Sequence, residues 1–165
     1  MQYGLPIRKG FWSNVENTSN SSSKPPGLFG ILNRKSEQVV NRLTEKEAVR
    51  QHLGLETDLS TVLVVGGGDG MGGIVDITEA LATALGKSRD AVSYQMVVVC
   101  GSNKEAVQSL SGKEYGAGVK VSVEGYVNNM DEWMKAADAL VTKAGPGTIA
   151  EASICGLPCM LFAYL

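Results

Sequence analysis

A strand, a glycine-rich turn and a helix run together in Lys143-Ala144-Gly145-Pro146-Gly147-Thr148-Ile149-Ala150-Glu151-Ala152, and this string restricts the chain more than any other. Ala139–Thr142 reads as the strand, and the turn opens a helix with Thr148 near its start and Glu151 one turn in. A helix that begins this way leaves backbone N–H groups, and the positive end of its dipole, facing whatever lies above the turn. Such a junction suits an anion, above all a phosphate. Glu151 adds an acceptor pair that fits a ribose diol, or else is an acid favoured by the dipole.

The rest of the chain repeats the alternation. The sequence predicts strands over Thr61–Val65, Tyr94–Cys100, Val119–Val123, Ala139–Thr142 and Pro158–Phe162. Between them it predicts helices over Ile74–Leu85, Asn103–Leu110, Met130–Ala137 and Gly147–Cys155. In the first of these, Ile74, Ile77, Ala80, Leu81, Ala84 and Leu85 form the apolar stripe. Asn129 is placed to cap the third. Short alternation of this kind implies α/β architecture, a Rossmann-like parallel sheet covered on both faces. Ligands of such sheets bind beyond the carboxyl ends of the strands. No internal repeat is present, and the final strand stops at the chain end where a loop and closing helix normally follow, so the expectation is a piece of a longer protein.

Before the alternation, residues 1–12 read as a connector with apolar anchors. Residues 13–43 read as a flexible insertion, because Ser19-Asn20-Ser21-Ser22-Ser23 and Pro25-Pro26-Gly27 cannot bury enough apolar surface to offset ordering entropy. Thr44-Glu45-Lys46-Glu47 has the form of a capping box, with Val49, Leu53 and Leu55 on one side of the helix it starts. Residues 44–165 form the domain proper.

Composition narrows the partners. A net charge of −2 gives no electrostatic case for nucleic acid or an acidic membrane surface. No apolar run approaches the roughly 20 residues of a membrane span. The three cysteines, Cys100, Cys155 and Cys159, lack the even count and spacing of a disulfide framework and read as buried free thiols.

Three loops carry the candidate chemistry. Gly66-Gly67-Gly68-Asp69-Gly70-Met71-Gly72-Gly73 holds six glycines in eight residues after the first strand, which lets backbone approach a ligand closely. It is neither a proper dinucleotide fingerprint nor a P-loop, since no Gly-Lys-Ser/Thr follows. The alternative is a tight turn with no ligand. Val123-Glu124-Gly125-Tyr126-Val127-Asn128-Asn129-Met130 ends the third strand and can offer backbone groups to a base edge, or be a plain connection. Trp133 and Met134, at helical spacing, read as core. Lys143 stands either to neutralise phosphate charge or as a solvated lysine, and Thr148 either to donate to a phosphate oxygen or to cap its helix. Asp138 reads as a strand-edge charge.

The glycine loop Gly66–Gly72, Gly125-Tyr126-Val127 with Met130, the string Thr142–Ala152 and Gly156-Leu157-Pro158 resemble the monogalactosyldiacylglycerol synthase family. That family is related to the bacterial transferase that adds N-acetylglucosamine to the peptidoglycan lipid precursor. Tyr3-Gly4-Leu5-Pro6-Ile7-Arg8 resembles the family's passage between its two domains. The resemblance covers residues 1–12 and about 58–165, with the Ser/Asn-rich stretch as an insertion. It implies a two-domain GT-B enzyme of which this chain is part of the donor domain, transferring galactose from UDP-galactose to diacylglycerol with inversion. It further implies contact of Val127 with uracil, of Ala144, Gly145, Pro146, Gly147 and Thr148 with the diphosphate, and of Glu151 with the ribose, while Gly67, Gly68 and Gly70 lie close to the diphosphate. The base, the lipid acceptor and the membrane contacts fall to the other domain, so no catalytic residue, metal or cofactor is expected here. The implied location is the chloroplast envelope, peripherally bound, and the fragment alone is expected to be inactive. The alternatives are another UDP-sugar transferase of the superfamily and a stand-alone nucleotide-binding module.

Overall fold

A computed structural model describes residues 7–11, 39–40, 44–67, 73–87, 93–116 and 118–163. Its centre is a five-stranded sheet of β1 (Ser60–Val65), β2 (Tyr94–Val99), β3 (Val119–Glu124), β4 (Ala139–Lys143) and β5 (Cys159–Ala163) in the order β3-β2-β1-β4-β5. Every pairing is parallel, with Val65 level with Val99 on one side and Thr142 on the other. The chain steps outward from β1 through β2 to β3, then returns to the far side of β1 as β4. The order therefore reverses between β1 and β4, and the loops that leave these two strands diverge there. In an open parallel sheet this divergence is where a ligand-sized crevice forms.

The central strands are buried on both faces, which is why they read as continuous apolar runs. One layer holds α2 (Ile74–Gly86) and α3 (Lys104–Leu110), whose Ile74, Ala82, Ala106 and Leu110 close over Val64, Met96, Val98 and Val141. The other holds α4 (Met130–Ala136) and α5 (Pro146–Cys155), with Trp133, Met134 and Ala152 over Leu63, Val65, Val97 and Leu140. Helical residues 44–52, here α1, join this second layer through Val49, and Leu53 and Leu55 follow just after it. Trp133 and Met134 are core, as their spacing implied. The short 3-10 turn Lys9–Phe11 packs on α4 and α5 and buries Phe11 completely.

Element limits differ from the sequence reading by one or two residues, and three details change. The buried face of α2 is centred on Ile74, Thr78 and Ala82, with Ala80 and Ala84 exposed. Thr78 can sit inside because its hydroxyl donates to the Ile74 carbonyl at 2.6 Å. Thr44 is itself helical, where the sequence reading has it precede the helix, and its hydroxyl donates to the Val40 carbonyl. Asn129 occupies the cap position of α4 without a side-chain capping bond. Its amide donates to Glu132 and its carbonyl accepts from the Trp133 indole, so it ties side chains rather than backbone. Of the stretch read as an insertion, Val39 and Val40 are helical and exposed, and most of the remainder lies outside the described residues.

Helix α1 is stapled to the amino-terminal edge of the sheet by a polar network. Arg50, 6% exposed, donates to the carbonyls of Ala136 and Thr57 and to Asp138 Oδ2 at 2.7 Å. Lys46 Nζ donates to Asp138 Oδ1 and the Ala137 carbonyl, and the Thr61 N–H donates to Asp138 Oδ2. Burial opposes ionisation of Asp138, but the Lys46 and Thr61 hydrogen bonds and the charges of Lys46 and Arg50 outweigh it, holding the carboxyl below its ordinary value. Asp138 is thus an anchor facing away from the crevice.

Candidate ligand site at the carboxyl edge

The residues that follow β1 and β4 adjoin at the reversal of strand order before their chains part to opposite faces of the sheet. Gly67 follows β1 with φ +84°, a left-handed conformation that strains any residue with a Cβ. A Cβ there would fall 2.5 Å from Cε of Lys143, the last residue of β4, so the lysine stem lies directly against the glycine backbone. The close packing of the two loops depends on both residues.

Helix α5 begins at the same place. Gly145 is its cap residue, with no side-chain capping bond, and Pro146 is its first helical residue. Proline brings no N–H, and the helical ladder starts with Ile149 N–H donating to the Gly145 carbonyl. The Gly147 and Thr148 amides therefore stand at the positive end of a ten-residue helix, outside the ladder. Lys143 adds a cation at the mouth.

Glu151 closes the inner wall. It is 2% exposed, on the second turn of α5. Its Oε1 accepts from the backbone N–H of Arg8 at 3.3 Å and lies 3.5 Å from the Arg8 Nε. Its Oε2 is sheltered from water and has no hydrogen-bond partner among the described residues. Leaving a charged acceptor buried and unpaired costs more than about 1–3 kcal/mol, so this oxygen is a position where the fold gives up stability.

Together Arg8, Gly67, Lys143, Gly145, Gly147, Thr148 and Glu151 line a cleft of about 210 Å³. Of the residues singled out from the sequence, the structure brings Gly67, Gly145, Gly147, Thr148 and Glu151 to this one cleft, with Ala144 and Pro146 inside the same turn. Gly68 and Gly70 lie outside the described residues. Val127 lies apart: its loop leaves β3, two strands or about 10 Å from β1 along the same edge. Its side chain packs on the core. The neighbouring Tyr126 is 73% exposed. Sequence reasoning missed Arg8, which sits 143 positions from Glu151 in the chain. No local pattern announces such a contact.

A larger hollow of about 440 Å³ lies at the opposite edge, between the end of α2 and residues 113–116. Its Lys113 and Glu79 pair with each other, and the Tyr115 hydroxyl donates to the Leu110 carbonyl. These polar groups already have partners, whereas the smaller cleft has an orphaned carboxylate oxygen and an uncapped helix. Chemistry therefore favours the smaller one. Among the described residues no group of three or more His, Cys, Asp or Glu is placed to hold a metal ion. Cys100 is buried as expected, but Cys155 is only half-buried and Cys159, on the outermost strand of the described sheet, is exposed. Burial pushes all three thiols above their ordinary value, least opposed at Cys100 and Cys159.

The profile of the glycosyltransferase family 28 C-terminal domain matches residues 61–165. The chain is 44% identical to a probable chloroplastic monogalactosyldiacylglycerol synthase of Glycine max, an alignment covering 84% of this chain and 26% of that protein. It is 41% identical to monogalactosyldiacylglycerol synthase 3 of Arabidopsis thaliana and to the chloroplastic synthase of Spinacia oleracea, with 84% of this chain aligned in each. Those alignments cover 29% and 26% of the two relatives, so the chain spans little more than a quarter of their length.

Proposed function

This chain belongs to glycosyltransferase family 28 as a C-terminal domain, and on that premise we propose that it holds the nucleotide of UDP-galactose while galactose passes to diacylglycerol. Its Rossmann-like sheet is that of a GT-B donor domain. The observation that carries the reading is Glu151: a buried carboxylate with one orphaned oxygen, one turn behind an uncapped helix N-terminus.

The nucleotide lies along the carboxyl edge of the sheet. Its diphosphate rests on the amides of Gly147 and Thr148, with Lys143 as counter-charge and the Thr148 hydroxyl as a further donor. Gly67, with Gly68 and Gly70, lets the β1 loop approach the phosphates. The ribose hydroxyls donate to Glu151. The uracil reaches the backbone at Val127, a distance a nucleoside diphosphate spans.

In the transfer, the glycerol hydroxyl of the acceptor attacks C1 of the sugar as the C1–O bond to UDP breaks, with inversion. The leaving diphosphate gains charge, and oriented N–H donors at a helix start stabilise that charge without reorganising. This chain supplies that stabilisation. The base that accepts the hydroxyl proton, the lipid site and the peripheral membrane contacts belong to an N-terminal domain, and residues 1–12 connect the two. No cofactor enters. The chloroplastic relatives support a chloroplast location, and peripheral binding at the envelope membrane is part of the same proposal.

Product analysis of the full-length protein with diacylglycerol and a panel of UDP-sugars tests the reading. Formation of monogalactosyldiacylglycerol from UDP-galactose is expected. Transfer of a different sugar, or to a different acceptor, would assign the chain to another UDP-sugar enzyme. Residues 1–165 alone are expected to give no turnover.

A further inference from the structure

The cleft contains one residue whose role the donor reading leaves open. Arg8 comes from the far end of the chain, yet it contacts the same carboxylate oxygen twice, through its backbone N–H and its Nε. The segment that carries it is fixed. Phe11, 1% exposed, is part of the core; Ile7 packs against that core; and Gly10 lies so close to the Asp131 carboxylate on α4 that a Cβ has no room there.

The geometry points to Arg8 as the positioning residue of Glu151: by holding Oε1 it fixes the orientation in which the carboxylate at the cleft wall meets a vicinal diol. The inference rests on the donor-site reading and adds to it. An ordinary surface ion pair does not account for the contact. The Arg8 side chain is 49% exposed, so its attraction to Glu151 is screened, and pairs of that kind contribute little to stability. What the contact supplies is direction. A Glu side chain has a freely turning terminal torsion. With Oε1 held from outside the helix, rotation would have to break two contacts. Ligand binding at Glu151 and docking of residues 7–11 then become linked, each favouring the other.

Calorimetric titration of the full-length protein with UDP and with 2′,3′-dideoxy-UDP tests this. Wild-type protein is expected to prefer UDP at least tenfold, and Glu151→Gln to lose most of that preference. Arg8→Ala is expected to reduce the preference to threefold or less while changing dideoxy-UDP binding less than threefold. Arg8→Lys, which keeps a side-chain cation for Oε1, should fall between, and it covers the case in which Arg8→Ala does not fold. Arg8 variants that keep the tenfold preference, or that weaken both ligands equally as loss of a phosphate contact would, overturn the positioning role alone. Wild-type protein that binds neither ligand overturns the donor-site reading and this inference with it.

Discussion

The two edges of the sheet are built on opposite principles. At the amino-terminal edge, Asp138 is engaged by Lys46, Arg50 and the Thr61 amide, and Arg50 closes the carbonyls of Ala136 and Thr57. At the carboxyl edge, α5 begins without a side-chain cap and Glu151 Oε2 has no partner among the described residues. The same kind of group, a carboxylate against a helix and the end of a strand, is satisfied on one side and left short on the other. The lesson is that polar satisfaction separates scaffold from site better than cavity size does, since the larger hollow lies at the satisfied edge. Changes at the amino-terminal edge should therefore alter stability and leave binding alone, and changes at the carboxyl edge should do the reverse.

The largest effect should come from the closed edge. Arg50→Ala removes a buried guanidinium and leaves two carbonyls and a carboxylate short of donors. Hydrogen bonds to charged groups contribute about 1.5–3 kcal/mol each, so a loss of about 3 kcal/mol in urea unfolding is expected, with UDP affinity at permissive temperature within twofold of wild type. A large drop in affinity in folded Arg50→Ala protein would break the contrast between the edges. Gly67→Ala should cost less. Lys143 can swing its free end aside, so the left-handed backbone is the main cost, about 1–2 kcal/mol. As this change lies on the open edge, it should weaken UDP binding as well, and the two readouts together place it between the extremes.

What could be read from the sequence follows the same division. The β1–β2 and β4–α5 alternation was legible because buried parallel strands are unbroken apolar runs and the Gly-Pro-Gly turn marks a helix start. The cleft residues on α5 were legible for the same reason, being local to one string. Three things were not. The stripe of α2 was right at Ile74, Ile77, Leu81 and Leu85, but Thr78 was not legible, because it can be interior only by bonding within its own helix. The tie between Asp138 and α1 joins residues 88 positions apart, and that between Arg8 and Glu151 joins residues 143 apart. Nothing in either local pattern encodes such a pairing; it exists only once the sheet order has brought those ends together.

Glu151→Ala sharpens the comparison from the open side. It removes a buried acceptor that the fold itself does not fully use. UDP affinity should fall at least tenfold, about 1.4 kcal/mol, while the unfolding free energy holds or rises, because the desolvation cost of the orphaned oxygen is removed. Calorimetry and urea titration on one preparation would show this, and equal affinity would remove Glu151 from the site. A stability loss as large as that of Arg50→Ala would place Glu151 among the structural anchors instead.

The smallest effect is a pH dependence at Asp138. Its folded-state value is depressed, so its contribution is present above the ordinary carboxyl range, near pH 4, and is lost as pH falls through the folded value. Asp138→Asn should therefore be less stable than wild type at pH 7, and the gap should close as pH drops below about 4. Because the Asp138 side chain is 43% exposed, solvent screens the Lys46 and Arg50 charges, and the gap should be about 1 kcal/mol or less, shrinking further in 1 M salt. Urea unfolding of both proteins between pH 3 and 7 would measure it. A gap that persists unchanged at pH 3 would mean that Asp138 acts through its hydrogen-bonding shape, which Asn keeps only in part, and not through its charge.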